Sequence, residues 1–287
     1  MSARLFVGHS AVAGGDMLLV EGRGFAYGDG VFETMRAHAG AIHWWPAHRA
    51  RLALGAARLR LPMPDAEGME RALDAWTAEH PDAVIKLQLT RPSGGRGYTP
   101  MQHGDPVWAL LASPLPPPVP VGGLRVRWCE TRLALQPALA GIKHCNRLEQ
   151  ILARAEWNPE EADEGLMRDA EGYVVCATAA NVFVLRDGRW WTPPVDRCGI
   201  AGVCRSWVVR ALAVGERRLS VEDVETADAV ILGNAVRGIL PVSRVGDVTL
   251  APHPAVADAR RRLALAHPAF PYRADEAPVP GGAAARP

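Results

Sequence analysis

From Val84 to Thr90 apolar and polar positions alternate strictly, with Ile85, Leu87 and Leu89 on one side and Lys86 and Gln88 on the other. That period of two predicts a strand with one buried face. Gly30 to Arg36 is also strand-like, and Asp29-Gly30 supplies tight backbone geometry before it. Pro106 to Ala112 is apolar nearly throughout, as a central strand would be. Between these the period changes to that of a helix. Leu52, Ala56 and Leu59 make a stripe over Pro46 to about Leu61, with Pro46 suited to the first turn, and Met69, Leu73 and Trp76 make another over Asp65 to Glu79. Residues 1 to about 22 read as short strands around a Gly14-Gly15 turn.

The run Ser113-Pro114-Leu115-Pro116-Pro117-Pro118-Val119-Pro120 is too rich in proline for a helix or an inner strand. It reads as a stiff extended linker between two α+β domains, residues 1–112 and 121–275, with a Pro/Ala/Gly-rich disordered tail over 276–287. The second half opens with a strand from Leu124 to Glu130. Hairpins follow: Gly165–Arg168 with Tyr173–Cys176, then Asn181–Leu185 with Trp190–Thr192 around Asp187-Gly188, a strong turn signal. Val203–Val214 and Pro254 to about Leu265 carry helical patterns, and Ala229–Leu232 reads as a strand. Strands and helices mix without regular βαβ alternation, which argues for α+β over a doubly wound sheet.

Composition narrows the class. The 287 residues are 48% hydrophobic and carry a net charge of +1, so a sizeable core is available and charge gives no case for a nucleic-acid or membrane partner. The start, Met1-Ser2-Ala3-Arg4-Leu5-Phe6-Val7, lacks the sustained apolar region of a signal peptide, and no apolar run approaches the roughly 18–20 residues of a membrane span. Cys129, Cys145, Cys176, Cys198 and Cys204 show no metal-like spacing. A soluble cytoplasmic protein with free thiols is expected.

The chemistry is centred on Lys143. It stands between a small-residue approach, Leu139-Ala140-Gly141, and a helical run that begins at about Asn146. Leu148, Ile151, Leu152 and Ala155 share one face of that run, which is expected to be buried. A lysine held there is desolvated. Desolvation disfavours the ammonium and frees the amine as a nucleophile, as an imine-forming lysine requires.

The whole segment Leu139–Gln150 closely resembles the lysine segment of the 4-amino-4-deoxychorismate lyases, a branch of the fold-type IV enzymes dependent on pyridoxal phosphate. Phe25-Ala26-Tyr27-Gly28-Asp29-Gly30-Val31-Phe32-Glu33-Thr34-Met35-Arg36 resembles the family's N-terminal signature, and Arg91-Pro92-Ser93-Gly94-Gly95-Arg96-Gly97-Tyr98 the glycine-rich loop of the lyase branch. The matches come in family order from about residue 20 to about residue 245. The resemblance implies a two-domain fold with the cofactor at the domain interface, a homodimer, and conversion of 4-amino-4-deoxychorismate to 4-aminobenzoate and pyruvate in folate synthesis.

It also implies roles for single residues. Lys143 would carry the cofactor and act as general base. Arg51, in His48-Arg49-Ala50-Arg51-Leu52, would offer its forked donors to the phosphate. Val203 and Cys204, after Gly199-Ile200-Ala201-Gly202, would offer backbone N–H groups at a helix start. Asn234 would stand in a second phosphate-side loop, where threonine is common. Thr34 would assist proton transfer. Arg91 and Arg96, on a loop with Gly94, Gly95 and Gly97, would clamp substrate carboxylates.

One position departs from the pattern. Cys176 stands where the family has a glutamate that bonds the pyridine nitrogen, and a thiol, weak as donor and acceptor, holds that proton poorly. Loss of the carboxylate should hurt transamination more than a lysis driven by aromatisation. Leu148 stands where fold-type IV transaminases commonly have a tyrosine, again in keeping with the lyase branch. The competing readings are a branched-chain or D-amino acid transaminase and a pyridoxal phosphate-binding protein with little turnover.

Overall fold

The computed structural model of the chain describes residues 2–8, 10–12, 22–100 and 104–272. The Gly14-Gly15 turn and the tail over 276–287 lie outside the described residues. Two sheets organise the molecule. The first contains β1 (Ser2–Val7), β2 (Ser10–Val12), β3 (Gly30–Arg36), β4 (Val84–Thr90) and β5 (Val107–Ser113), in the order β2-β1-β5-β4-β3 with every pair antiparallel. The apolar β5 is an inner strand, as its composition requires.

Ile85, Leu87 and Leu89 of β4 are fully buried, and the residues between them are not. Their face packs with Val31 and Met35 of β3 and Leu110 of β5 against Leu52 and Ala56 of the Trp45–Leu59 helix and Met69, Leu73 and Trp76 of the Ala66–Glu79 helix. Pro46 sits in the first turn of the former helix. Asp65 caps the latter, accepting from the Gly68 N–H at 2.7 Å.

The chain passes to the second sheet between Ser113 and Leu124. That sheet holds β6 (Leu124–Leu133), β7 (Glu164–Asp169), β8 (Val174–Ala177), β9 (Asn181–Arg186), β10 (Arg189–Thr192), β11 (Gly215–Glu216), β12 (Ala229–Asn234) and β13 (Gly238–Val245), in the order β11-β10-β9-β12-β13-β6-β7-β8, with β14 (Val248–Thr249) on β13. It is mixed: β6 runs parallel to both β7 and β13. Asp187 and Gly188 take positive φ values of 53° and 70°, the geometry of a two-residue hairpin turn.

Strand β13 was not expected from the sequence. Pro241 interrupts its apolar run and reads as an edge or break signal. In the sheet Pro241 pairs with Ile231 of β12, while the pairing with β6 begins only at Val242, so the missing N–H costs no ladder bond to β6. The Leu148–Arg154 helix departs from expectation in the other direction. Leu148, Ile151 and Leu152 are 71%, 61% and 61% exposed, so its apolar face is not buried within this chain.

The fully buried Leu87 makes a direct test of the first core. Leu87→Ala should cost about 2–5 kcal/mol of stability. In urea denaturation this appears as a lower midpoint with an unchanged slope; an unmoved midpoint would contradict the packing described.

Candidate active site

Lys143 is placed by backbone pairing on both sides. β3 is the edge strand of the first sheet, and the lysine segment completes its free edge. The Phe32 N–H donates to the Lys143 carbonyl and the Cys145 N–H to the Gly30 carbonyl, both at 2.9 Å. Toward the second sheet, the Gly141 N–H donates to the Gly199 carbonyl and the Ala201 N–H to the Gly141 carbonyl, both at 3.0 Å. Gly141 has a φ of 80°, a left-handed conformation that a side chain would strain. The short stretch from Gly141 to Cys145 therefore joins both halves of the molecule.

The pleat of β3 separates two sets of side chains. Val31, Glu33 and Met35 face the helices and are buried, whereas Phe32, Thr34 and Arg36 face the other way and are partly exposed. The Lys143 Nζ lies 4.2 Å from the centroid of the Phe32 ring. Burial, helped by the charge of Arg51 and opposed by Glu33, lowers the pKa of Lys143 to about 7.

Glu33 is a fully buried carboxylate. Arg51 grips it with Nε to Oε1 at 2.8 Å and Nη2 to Oε2 at 2.5 Å, and His48 Nδ1 lies 2.6 Å from the same Oε2. Burial alone would raise the pKa of Glu33, but the charge and hydrogen bonds of Arg51 with the bond from His48 bring it below its ordinary value. Burial also keeps His48 neutral, so its Nδ1 carries the proton and donates to the carboxylate. Arg51 Nη1 donates across to the Ala201 carbonyl at 3.0 Å. Three of its five N–H donors are thus used, and two remain.

These groups meet at a cavity of about 550 Å³ between the two sheets, walled by Lys143, Thr34, Arg51, Cys176, Val203 and Asn234 among others. At one end the Val203–Ala211 helix begins at Gly202 with no side-chain cap. Its first internal bond runs from the Ser206 N–H to the Gly202 carbonyl, so the N–H groups of Val203, Cys204 and Arg205 precede the helical ladder. A Cβ on Gly202 would lie 2.1 Å from Asn181 Oδ1, so only glycine permits this approach. Beside it, Asn234 Oδ1 accepts from the N–H groups of Val236 and Arg237 at 3.0 and 2.8 Å, and Nδ2 donates to the Ala179 carbonyl at 3.2 Å. The side chain of Asn234 builds the turn and has one N–H to spare. Cys176 is buried in the wall, and burial pushes its thiol pKa up to about 12. Arg147 and Gln150, both in the wall, have a buried Nε and a buried Oε1 without protein partners.

One expectation needs correction. Arg91 does not reach this cavity. Its Nε and Nη2 bind Asp29 at 2.8 and 3.3 Å, and Nη1 and Nη2 bind the carbonyls of Arg60 and Leu59 at 2.9 and 2.7 Å. With four of its five donors used and its side chain buried, it ties the loop to the helix end and is not available as a carboxylate clamp. Arg96 is exposed on that loop and lies outside the walls of this chain's cavity. Cys204 offers at most its backbone, because its side chain is fully buried with Phe183 and Val208. Sequence reasoning passed over Glu33, His48, Arg147 and Gln150. The spacing of His48 and Arg51, three apart on one helix face, was the available signal for a shared partner.

Comparison with known proteins places the chain in a family. The amino-transferase class IV family model matches residues 30–245, and the chain belongs to that family. An aminodeoxychorismate lyase from Vibrio harveyi is 34% identical over 231 residues, covering 78% of this chain and 85% of the relative. The crystal structure of 4-amino-4-deoxychorismate lyase from Pseudomonas aeruginosa superposes with a TM-score of 0.83 at 38% identity, covering 90% of this chain and 97% of that one. The branched-chain amino acid aminotransferase of Escherichia coli shares the fold, with a TM-score of 0.80 at 20% identity over 91% of this chain and 92% of that one.

The donor set fits pyridoxal phosphate. An amine with a pKa near 7 can attack an aldehyde at neutral pH. The spare donors of Arg51 and the uncapped helix start suit a phosphate. The unpartnered Arg147 Nε and Gln150 Oε1 are polar atoms that a bound molecule can satisfy.

The Lys143 amine sets a pH prediction. A lysine with its pKa lowered to about 7 releases its proton as pH rises through that value, not near the ordinary 10.5. The rate at which cofactor-free protein takes up pyridoxal phosphate should therefore climb through about pH 7 and level off above it. A rate still climbing steeply toward pH 10 would contradict the assigned environment.

Proposed function

We propose that this chain is a pyridoxal phosphate-dependent lyase that converts 4-amino-4-deoxychorismate to 4-aminobenzoate and pyruvate. The observation that carries the reading is Lys143, a desolvated amine on the wall of a cavity that also offers a phosphate site. The lyases from Vibrio harveyi and Pseudomonas aeruginosa support the choice of reaction. So does Leu148, which points away from the cavity and brings no hydroxyl to it.

Bound pyridoxal phosphate supplies an electron-withdrawing ring that accepts the pair left by a broken C–H bond. The chain does the rest. Arg51 and the N–H groups of Val203 and Cys204 would hold the phosphate, with the Asn234 turn beside them. Lys143 Nζ would take the proton from the substrate ring carbon that bears the nitrogen. The C–O bond to the enolpyruvyl group breaks, and the leaving group takes a proton from Lys143 or from the Thr34 hydroxyl on the same wall. Cys176, in the cavity wall with its pKa pushed up to about 12, would stay a neutral thiol and lend the ring no charge. A neutral neighbour weakens the electron sink, and aromatisation of the product supplies the driving force that an amino-acid substrate lacks.

Two copies of the chain associate in this reading. Leu148, Ile151 and Leu152 form an apolar face on the helix that also sends Arg147 and Gln150 into the cavity wall. In such a dimer the exposed Arg96 on its glycine-rich loop is free to serve the cavity of the neighbouring copy. No helix among the described residues is long and apolar enough to cross a membrane, and all five cysteines are free. A reducing cytoplasm suits those thiols.

Purified protein should release pyruvate and 4-aminobenzoate together from enzymatically generated aminodeoxychorismate, and Lys143→Ala should lose both products and the absorbance of the bound cofactor. Transfer of an amino group to 2-oxoglutarate with no pyruvate would replace the lyase by a transaminase. Light scattering should give the mass of a dimer, and Ile151→Glu should shift it toward the monomer. A wild-type monomer at micromolar concentration would remove the association.

A further inference from the structure

Arg91 is committed to Asp29 and two carbonyls, so a substrate with two carboxylates lacks an evident partner among the arginines of the loop in this chain. A second cavity, of about 330 Å³, adjoins the first and shares Pro116 and Arg237 with it. Arg36, Arg237 and Arg260 line it together with the proline-rich linker and Phe270, and no aspartate or glutamate is among its lining residues.

Arg36 is held loosely for a half-buried cation. Its Nη1 donates to the Val236 carbonyl at 3.3 Å, its guanidinium lies 5.3 Å from the Phe270 ring centroid, and its Nε is buried without a partner. Asp82, the carboxylate that acts on it electrostatically, is engaged by His38 at 3.0 Å and by the Ala39 N–H. Arg237 makes one long side-chain bond, from Nη2 to the Pro117 carbonyl at 3.4 Å. A buried donor without an acceptor, such as Arg36 Nε, is unfavourable, and a carboxylate between the two guanidinium groups would satisfy it and engage the weakly bound Arg237 as well.

The position suits the reacting end. Arg36 and Thr34 share one face of β3, two residues apart, which is roughly 6.6–6.8 Å along the strand. Val236, which accepts the Arg36 bond, is itself part of the wall of the main cavity. A molecule whose amine meets Lys143 beside Thr34 can therefore extend an acid group toward Arg36 and Arg237.

We infer that Arg36 and Arg237 form a carboxylate subsite that holds the acid group of the substrate remote from its amine and selects for dicarboxylic substrates. The assignment rests on the lyase reading for the identity of the substrate. Both residues are positioning and specificity residues, since neither reaches the bonds that change.

The test uses holoenzyme and two variants, Arg36→Gln and Arg237→Gln, each checked for an unchanged bound-cofactor spectrum; Arg237, half-buried on a turn, stands in if Arg36→Gln fails to fold. Two quantities are read: the KM and kcat of pyruvate release, and the dissociation constant of chorismate, which keeps both carboxylates and has a hydroxyl in place of the amine. The expected result is a rise of roughly ten- to hundredfold in KM and in the chorismate constant, kcat changing less than about threefold, with Arg36→Lys partly restored. Pyruvate release with KM and chorismate affinity unmoved in both variants would overturn the subsite and leave the lyase standing. If wild-type protein releases no pyruvate, the lyase reading fails by itself. Chorismate titration then decides the subsite: weaker binding in the variants upholds it, and equal binding or none in wild type overturns it.

Discussion

A single buried carboxylate holds the site together. Glu33 has no access to solvent, so it remains ionised only because Arg51 and His48 surround it with donors. Arg51 in turn reaches the Ala201 carbonyl, one residue before the glycine that starts the uncapped helix. The same guanidinium sits close enough to Lys143 to help lower its pKa. One ion pair therefore fixes the direction of the spare Arg51 donors, links the two sheets, and helps to set the protonation of Lys143. Breaking it by removing either partner leaves an uncompensated charge in the interior, a change of several kcal/mol in comparable cases.

The division of work along β3 follows from the pleat. Odd-numbered Val31, Glu33 and Met35 belong to the interior beneath the helices, and even-numbered Phe32, Thr34 and Arg36 belong to the cavities. A one-residue slip in register would exchange the two sets and remove fold and site together. The opposite wall is gentler in its electrostatics. Cys176 is buried and neutral, so the electrical asymmetry of the cavity comes from Arg51 and Lys143.

Much of this was legible in the sequence where a single local rule governed. The alternation of Val84–Thr90 and the Asp187-Gly188 turn gave strand and hairpin directly, because burial on one face and positive φ leave local marks. Lys143 was legible as a desolvated lysine, although the reason is backbone pairing with Gly30 and Phe32 and not the helix that follows. That helix exposes the face read as buried, because periodicity states that a face is apolar and does not say what covers it. Pro241 hid β13 because its tolerance depends on where the neighbouring pairing begins, a fact of tertiary structure. Arg91 misled for a related reason: an arginine beside glycines is equally suited to a ligand and to a buried aspartate, and only the position of Asp29 decides.

The placement of Lys143 between two sheets also bears on how the protein matures. Its segment is held by Gly30 and Phe32 on one side and Gly199 and Ala201 on the other, and the sheet beyond requires Leu124 to find Val242. Contacts so distant along the chain form late and slowly, at the cost of closing long loops. Until they form, Lys143 is an ordinary solvated ammonium with no claim on an aldehyde. Capture of the cofactor thus acts as a proofreading step in biogenesis: only a chain that has completed both sheets acquires it, and once acquired it draws the folding equilibrium toward the native state by mass action.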